Sequence, residues 1–369
     1  MVVTKGQRTV AVRSTAKRDS LVRFISLRRL TAGCALVMGA ALLPAATPAG
    51  AGTTTCQEQN YPVTVLGSQQ RITGTLCVPE GATTIQLLVP GGTYNQSYWE
   101  YQVGGSSYRE AMNTAGYATL NMDRLGSGKS SQPPGLLVTG QVSADAIHQV
   151  VTQLRQRFGK VILVGHSIGA ANTRIEAATY RDVDGVVVTG LSHLVNVIGA
   201  GLGFSSLLPL IPLVDPDPLL RDRPLDPGYL TTRPGARDQA FHQPAQDSAD
   251  AIQYDEAHRD VVSAGEAVSV LVEANPLTTV TNRITAPVLL AMGQLDSVLC
   301  GQKVIDSIVR IDTDCRTDAT LYRSESRYYQ GASSFQAYVV PGAGHSFGFH
   351  ETAPQFSARV IGWARSQGL

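Results

Sequence analysis

Apolar runs recur along this chain and alternate with helical patterns. Strand-like segments fall at 61–67, 71–78, 85–90, 117–123, 161–165, 185–189, 287–292 and 334–340. Runs such as Val161-Ile162-Leu163-Val164 are continuously apolar, which predicts strands buried on both faces. Helical spacing appears at 142–158 and 353–366. Strands that alternate with helices predict an α/β protein built on a mostly parallel sheet. Residues 191–285 break this rhythm. Seven prolines stand from Pro209 to Pro234 inclusive, and helical patterning returns only near 260–274. That stretch reads as an inserted cap.

One junction carries a mechanical signal. The strand at 161–165 runs into Gly165-His166-Ser167-Ile168-Gly169 and then into small, helix-compatible residues. A strand that turns at once into a helix passes through a tight corner, and the residue at its tip is strained and exposed. The tip is Ser167. A serine hydroxyl is a weak nucleophile at neutral pH and needs a base, which in turn needs an orienting group.

Of the seven histidines, His345 stands out, because it follows the strand at 334–340 in the glycine-rich Pro341-Gly342-Ala343-Gly344 loop. Asp296 lies a few residues past the strand at 287–292, between Ser167 and His345 in the chain. The order Ser, Asp, His is one of the known triad orders. A site for a developing oxyanion is expected from the backbone N–H groups of Ile168 and Gly92, with Thr93 close behind, since Pro90-Gly91-Gly92 follows another strand end.

These segments together resemble the α/β-hydrolase family. The matching pieces are Pro90-Gly91-Gly92, Asp123-Arg124-Leu125-Gly126-Ser127-Gly128, the Ser167 turn, Gly293-Gln294-Leu295-Asp296 and Gly344-His345. The resemblance covers roughly residues 60–369. It implies a mostly parallel twisted sheet flanked by helices, with a cap inserted after the sixth strand. It also implies Ser167 as nucleophile, Asp296 as acid and His345 as base. Many members carry His-Gly where this chain has Pro90-Gly91.

The first residues read as an address. Eight Lys and Arg stand against one acid, Asp19, before a short apolar stretch that contains Pro44, and Ala49-Gly50-Ala51 offers a small-x-small cleavage pattern. Residues 1–51 are therefore expected to be a secretory signal peptide and 52–369 the α/β-hydrolase domain, with the cap at about 191–285. The apolar stretch is short for a bilayer crossing, so no stable membrane anchor is expected. The whole chain carries a net charge of +1, and loss of the leader shifts it to about −6. A mildly acidic surface argues against nucleic acid as a partner.

Cys56, Cys77, Cys300 and Cys315 then remain, an even number in an exported chain, which predicts two disulfides. Three pairings are open. The local one, Cys56–Cys77 with Cys300–Cys315, closes short loops and is favoured.

No metal is expected. The acids Asp215, Asp217, Asp222 and Asp226 are separated by prolines and match no calcium-loop pattern, and no cysteines have close C-x-x-C spacing. No cofactor is expected either. Thr93, Tyr94, His193 and Phe204 are candidate substrate contacts. The chemistry expected is that of a secreted serine hydrolase acting on small, apolar carboxylic esters. A lactone hydrolase or an acyltransferase with the same three residues is the alternative, as is a non-catalytic binding protein on the same fold. Oligomeric state is not legible.

Overall fold

In the computed structural model, which describes residues 53–193, 207–209, 217–242, 247–300 and 313–369, the chain opens with a long hairpin. Strand β1 (Thr54–Val65) pairs antiparallel with β2 (Ser68–Pro79) across a Leu66-Gly67 turn in which both residues have positive φ. The apolar alternation begins only at Tyr61, yet the strand begins at Thr54. Residues 54–58 are exposed, so no buried face marks them, and pairing with β2 is what makes them a strand. Cys56 sits opposite Cys77 in this register, and the two form a disulfide.

Six further strands complete the main sheet: β3 (Thr84–Val89), β4 (Ala118–Met122), β5 (Lys160–His166), β6 (Gly185–Thr189), β10 (Val288–Gly293) and β11 (Phe335–Val340). The order is β1-β2-β4-β3-β5-β6-β10-β11. Every pair from β4 to β11 is parallel, whereas β1–β2 and β2–β4 are antiparallel.

Successive strand residues point to opposite faces, so β5 feeds two apolar layers. Val161 and Leu163 pack with Val150 and Leu154 of helix α2 (Gly140–Leu154) and Ala170 of helix α3 (Ile168–Tyr180). Ile162 and Val164 face the other side, with Met112 of helix α1 (Tyr108–Thr114) and Val360 and Trp363 of the helix Ala353–Ser366. Both faces are covered, which accounts for the continuous apolar runs.

Between β6 and β10 the described residues build a second sheet, with β7 (Leu207–Pro209), β8 (Tyr229–Thr232) and β9 (Val262–Ser263) in that order. The helical pattern at 260–274 resolves into Ala264–Glu273, because the Ser263 side chain accepts from the Glu266 N–H and fixes the start there. Glu266 also anchors this segment to the main sheet. Fully buried, it forms an ion pair with Arg124, which follows β4, and accepts from Ser143, Asn172 and Ser263. No helix among the described residues is long and apolar enough to cross a membrane. The expected leader at 1–51 and the candidate contact Phe204 lie outside the described residues.

Candidate active site

The parallel strands β3, β5, β10 and β11 end at one edge of the sheet, and the segments that follow them meet there. Ser167 follows β5 directly, with φ 52° and ψ −119°, and its N–H donates to the Thr189 carbonyl at 2.8 Å. The flanking glycines make this corner sterically feasible. A Cβ on Gly165 would meet the Gly169 carbonyl oxygen and Thr173 Oγ1 at 2.5 Å, and one on Gly169 would meet the Pro90 and Val89 carbonyls at 2.4 Å. No side chain fits at either place, so α3 can begin hard against the loop after β3.

The three residues expected to work together do converge. His345 Nε2 lies 3.0 Å from Ser167 Oγ, and His345 Nδ1 lies 2.8 Å from Asp296 Oδ2. A carboxylate can only accept, so Nδ1 carries the proton and Nε2 faces the serine with its lone pair. Asp296 is fully buried, and its Oδ1 accepts from the N–H groups of Val298 and Leu299, which aim the carboxylate at the ring. Cys300–Cys315 forms the second disulfide and closes the segment just beyond this aspartate.

Gly92 lies against α3, where a Cβ on it would come within 2.7 Å of Ile168 Cδ1. The N–H groups of Gly92 and Ile168 donate to no group among the described residues. Two unspent amides therefore stand near Ser167.

Beside them runs a buried network with no signature in the sequence. Thr93 has φ 61°, a left-handed conformation for a β-branched residue. It is held by Arg237 from the inserted segment, whose Nη1 donates to Thr93 Oγ1 at 2.8 Å and to its carbonyl at 3.3 Å. Arg237 Nη2 pairs with Asp255 at 2.7 Å, and its guanidinium covers the Tyr94 ring at 4.2 Å. Asp255 also accepts from His242 and from Tyr94, whose hydroxyl lies 2.6 Å from Ser346 Oγ, next to His345. Burial alone would push Asp255 up; Arg237 and His242 together hold its carboxyl below the usual range. Thr93 and Tyr94, expected as substrate contacts, are 1% and 2% exposed and committed to this interior network.

His166 stacks on Tyr98 with ring centroids 4.4 Å apart and lies 5.1 Å from His345. Burial, and then the neighbouring His345, holds it well below the usual imidazole range, so it stays neutral under the nucleophile.

His193 belongs elsewhere. It is fully buried; Nδ1 lies 2.6 Å from Glu325 Oε2, and Nε2 lies 3.1 and 2.9 Å from the hydroxyls of Thr279 and Thr281. Both ring nitrogens are engaged, which leaves none to meet a ligand. The expectation of a substrate contact is corrected here to a tie between the end of β6 and the helix before β11. Burial, reinforced by Arg174, lowers its pKa to about 4 against the pull of Glu325. The unfolded chain then binds the proton first, so acidification favours unfolding. We expect stability to fall as pH drops from about 6.5 to 4. Melting temperatures measured across that window should show the loss, and His193→Gln should flatten it.

The sequence matches the model of the Alpha/beta hydrolase family over residues 86–360. The chain belongs to the alpha/beta hydrolase family. Solved structures of similar fold include a thermophilic esterase from Thermogutta terrifontis, at 16% identity and TM-score 0.55 over 84% of this chain and 99% of that one. The enol-lactonase from Burkholderia xenovorans LB400 aligns at 14% identity and TM-score 0.52, over 82% and 99%. The carboxylesterase CesB from Bacillus subtilis aligns at 14% and 0.51, over 83% and 90%. At these identities the likeness shows the hydrolase fold. No curated protein matches the chain.

Proposed function

We propose that this alpha/beta hydrolase is an exported serine hydrolase that cleaves carboxylic esters by two-step acyl transfer. The observation that carries the reading is the unbroken hydrogen-bonded line from Ser167 through His345 to Asp296, with the serine on a strained corner. In the first step Ser167 Oγ attacks the carbonyl carbon as its proton passes to His345 Nε2. Asp296 stabilises the imidazolium and fixes its tautomer. The carbonyl oxygen gains charge and is received by the N–H groups of Gly92 and Ile168. His345 then protonates the leaving alkoxide, and water releases the acid by the reverse sequence. Residues 1–51 act as the leader, and two disulfides suit an oxidising compartment.

Lactone opening is the second reading. A lactone presents the same carbonyl to the same groups, and an enol-lactonase is among the similar structures. Rates on p-nitrophenyl esters of graded acyl length, set beside a lactone series, separate the two. A fluorophosphonate probe is expected to label Ser167 alone. Folded protein that stays unlabelled and turns over neither series would overturn the proposal.

A further inference from the structure

A second cluster lies at the opposite end of α3 from Ser167. We propose that His148, Glu176 and Asp182 form a binding site for a divalent transition metal ion, Zn²⁺ in the first instance. His148 comes from α2, Glu176 from the last turns of α3, and Asp182 from the loop that leads to β6. One ligand atom from each lies within 4.8 Å of the others. His148 Nδ1 is 2.8 Å from Asp182 Oδ2 and 3.9 Å from Glu176 Oε1. These separations suit three corners of a small cation's coordination sphere, with ligand bonds of about 2 Å.

The observation that points to a ligand is Glu176. Its residue is fully buried, and no N–H or hydroxyl among the described residues donates to either of its oxygens or to Asp182 Oδ1; its hydrogen-bonding neighbour is the Asp182 carboxyl itself. Two adjacent carboxyl groups, one of them fully buried, either share a proton or take up a cation, and a metal ion would supply the second. No Lys or Arg among the described residues donates to Glu176. Arg155 is the nearby cation, but its donors go to the Asp182 and Gly159 carbonyls and to Asp184.

The donor set favours a transition metal. One imidazole and two carboxylates neutralise a 2+ charge and provide mixed nitrogen and oxygen ligation, whereas Ca²⁺ and Mg²⁺ take oxygen alone. The ring is already oriented. It stacks on Tyr180 at 3.7 Å and 5°, and the Tyr180 hydroxyl is held by Asp145 at 2.8 Å. The His148 and Asp182 side chains are each 30% exposed, which leaves an entry path and room for a water ligand. An ion there would bind α2, α3 and the β6 loop together, behind the helix that carries Ser167. The residues stand 28 and 6 apart in the chain, a spacing that matches no metal motif, and for that reason the sequence predicts no metal.

The test uses the untagged protein, stripped with a chelator and titrated with ZnCl₂. Calorimetry and metal analysis are expected to find an ion bound to wild type, with a rise in melting temperature. Glu176→Gln, which keeps the side chain's shape, should weaken that binding by about 100-fold or more, and His148→Gln should do the same. Zinc could also contact His345 and Asp296, and binding that survives in both variants would place it there and overturn the site. Wild type that takes up no zinc would overturn it as well. In that case Glu176→Gln should melt higher than wild type, because a proton shared with Asp182 is then what neutralises the carboxylate.

Discussion

Ser167→Ala should lower ester turnover by about 10⁴-fold or more while the protein stays folded. The argument for the size is chemical. Without Oγ there is no acyl-enzyme, and what remains is catalysis by the two amides and by binding. The argument for retained folding is structural. Among the described residues the only side-chain hydrogen bond of Ser167 is the one to His345, and alanine at φ 52° carries much the same backbone strain as serine. Adding His345→Ala to this variant should cost little more, because the two act as a unit. Steady-state rates on an activated ester, together with a thermal melt, check both parts. Turnover within tenfold of wild type would remove Ser167 from the mechanism.

Arg237→Met should reduce stability and activity together. The guanidinium is fully buried, and its loss leaves Asp255 in the interior with the shared His242 and the Tyr94 hydroxyl. Breaking a buried pair in this way costs about 3–5 kcal/mol. The same change removes the donor that holds Thr93 at positive φ, one residue from the amide of Gly92. A relaxed loop misplaces that amide, and loss of one oxyanion donor costs about 10²-fold or more in kcat. Arg237→Lys keeps a charge but not the fork that reaches Thr93, Thr232 and Asp255 at once, so it should recover stability better than kcat. Chemical denaturation and a kcat-against-KM comparison measure the two effects. Unchanged values for both would mean that the inserted segment does not position this loop.

The two largest effects differ in how visible they were beforehand. Ser167 announces itself, because a tight strand-to-helix corner demands small residues at fixed local distances, and Gly165 and Gly169 supply them. Asp296 and His345 were legible as residues just past apolar strands, since parallel strands must end at a common edge. Arg237, Asp255, Tyr94 and Ser346 had no such mark. They lie in four separated segments, and no periodicity connects them. His193 shows the converse. Its place after β6 suggested a ligand contact, but Glu325, 132 positions away, takes its ring inward. The Thr54 end of β1 was missed because an exposed strand has no buried face to pattern it.

Sequence alone determined the α/β class, the two-layered core and the corner at Ser167, since apolar periodicity and steric fit act over a few residues; it favoured the local cysteine pairing among three. Tertiary structure alone decided which buried charges meet: Arg124 with Glu266, Arg237 with Asp255, and His148 beside Glu176 and Asp182. Electrostatic partners depend on distance in space and on exclusion of water, and neither is written in the spacing of residues along a chain.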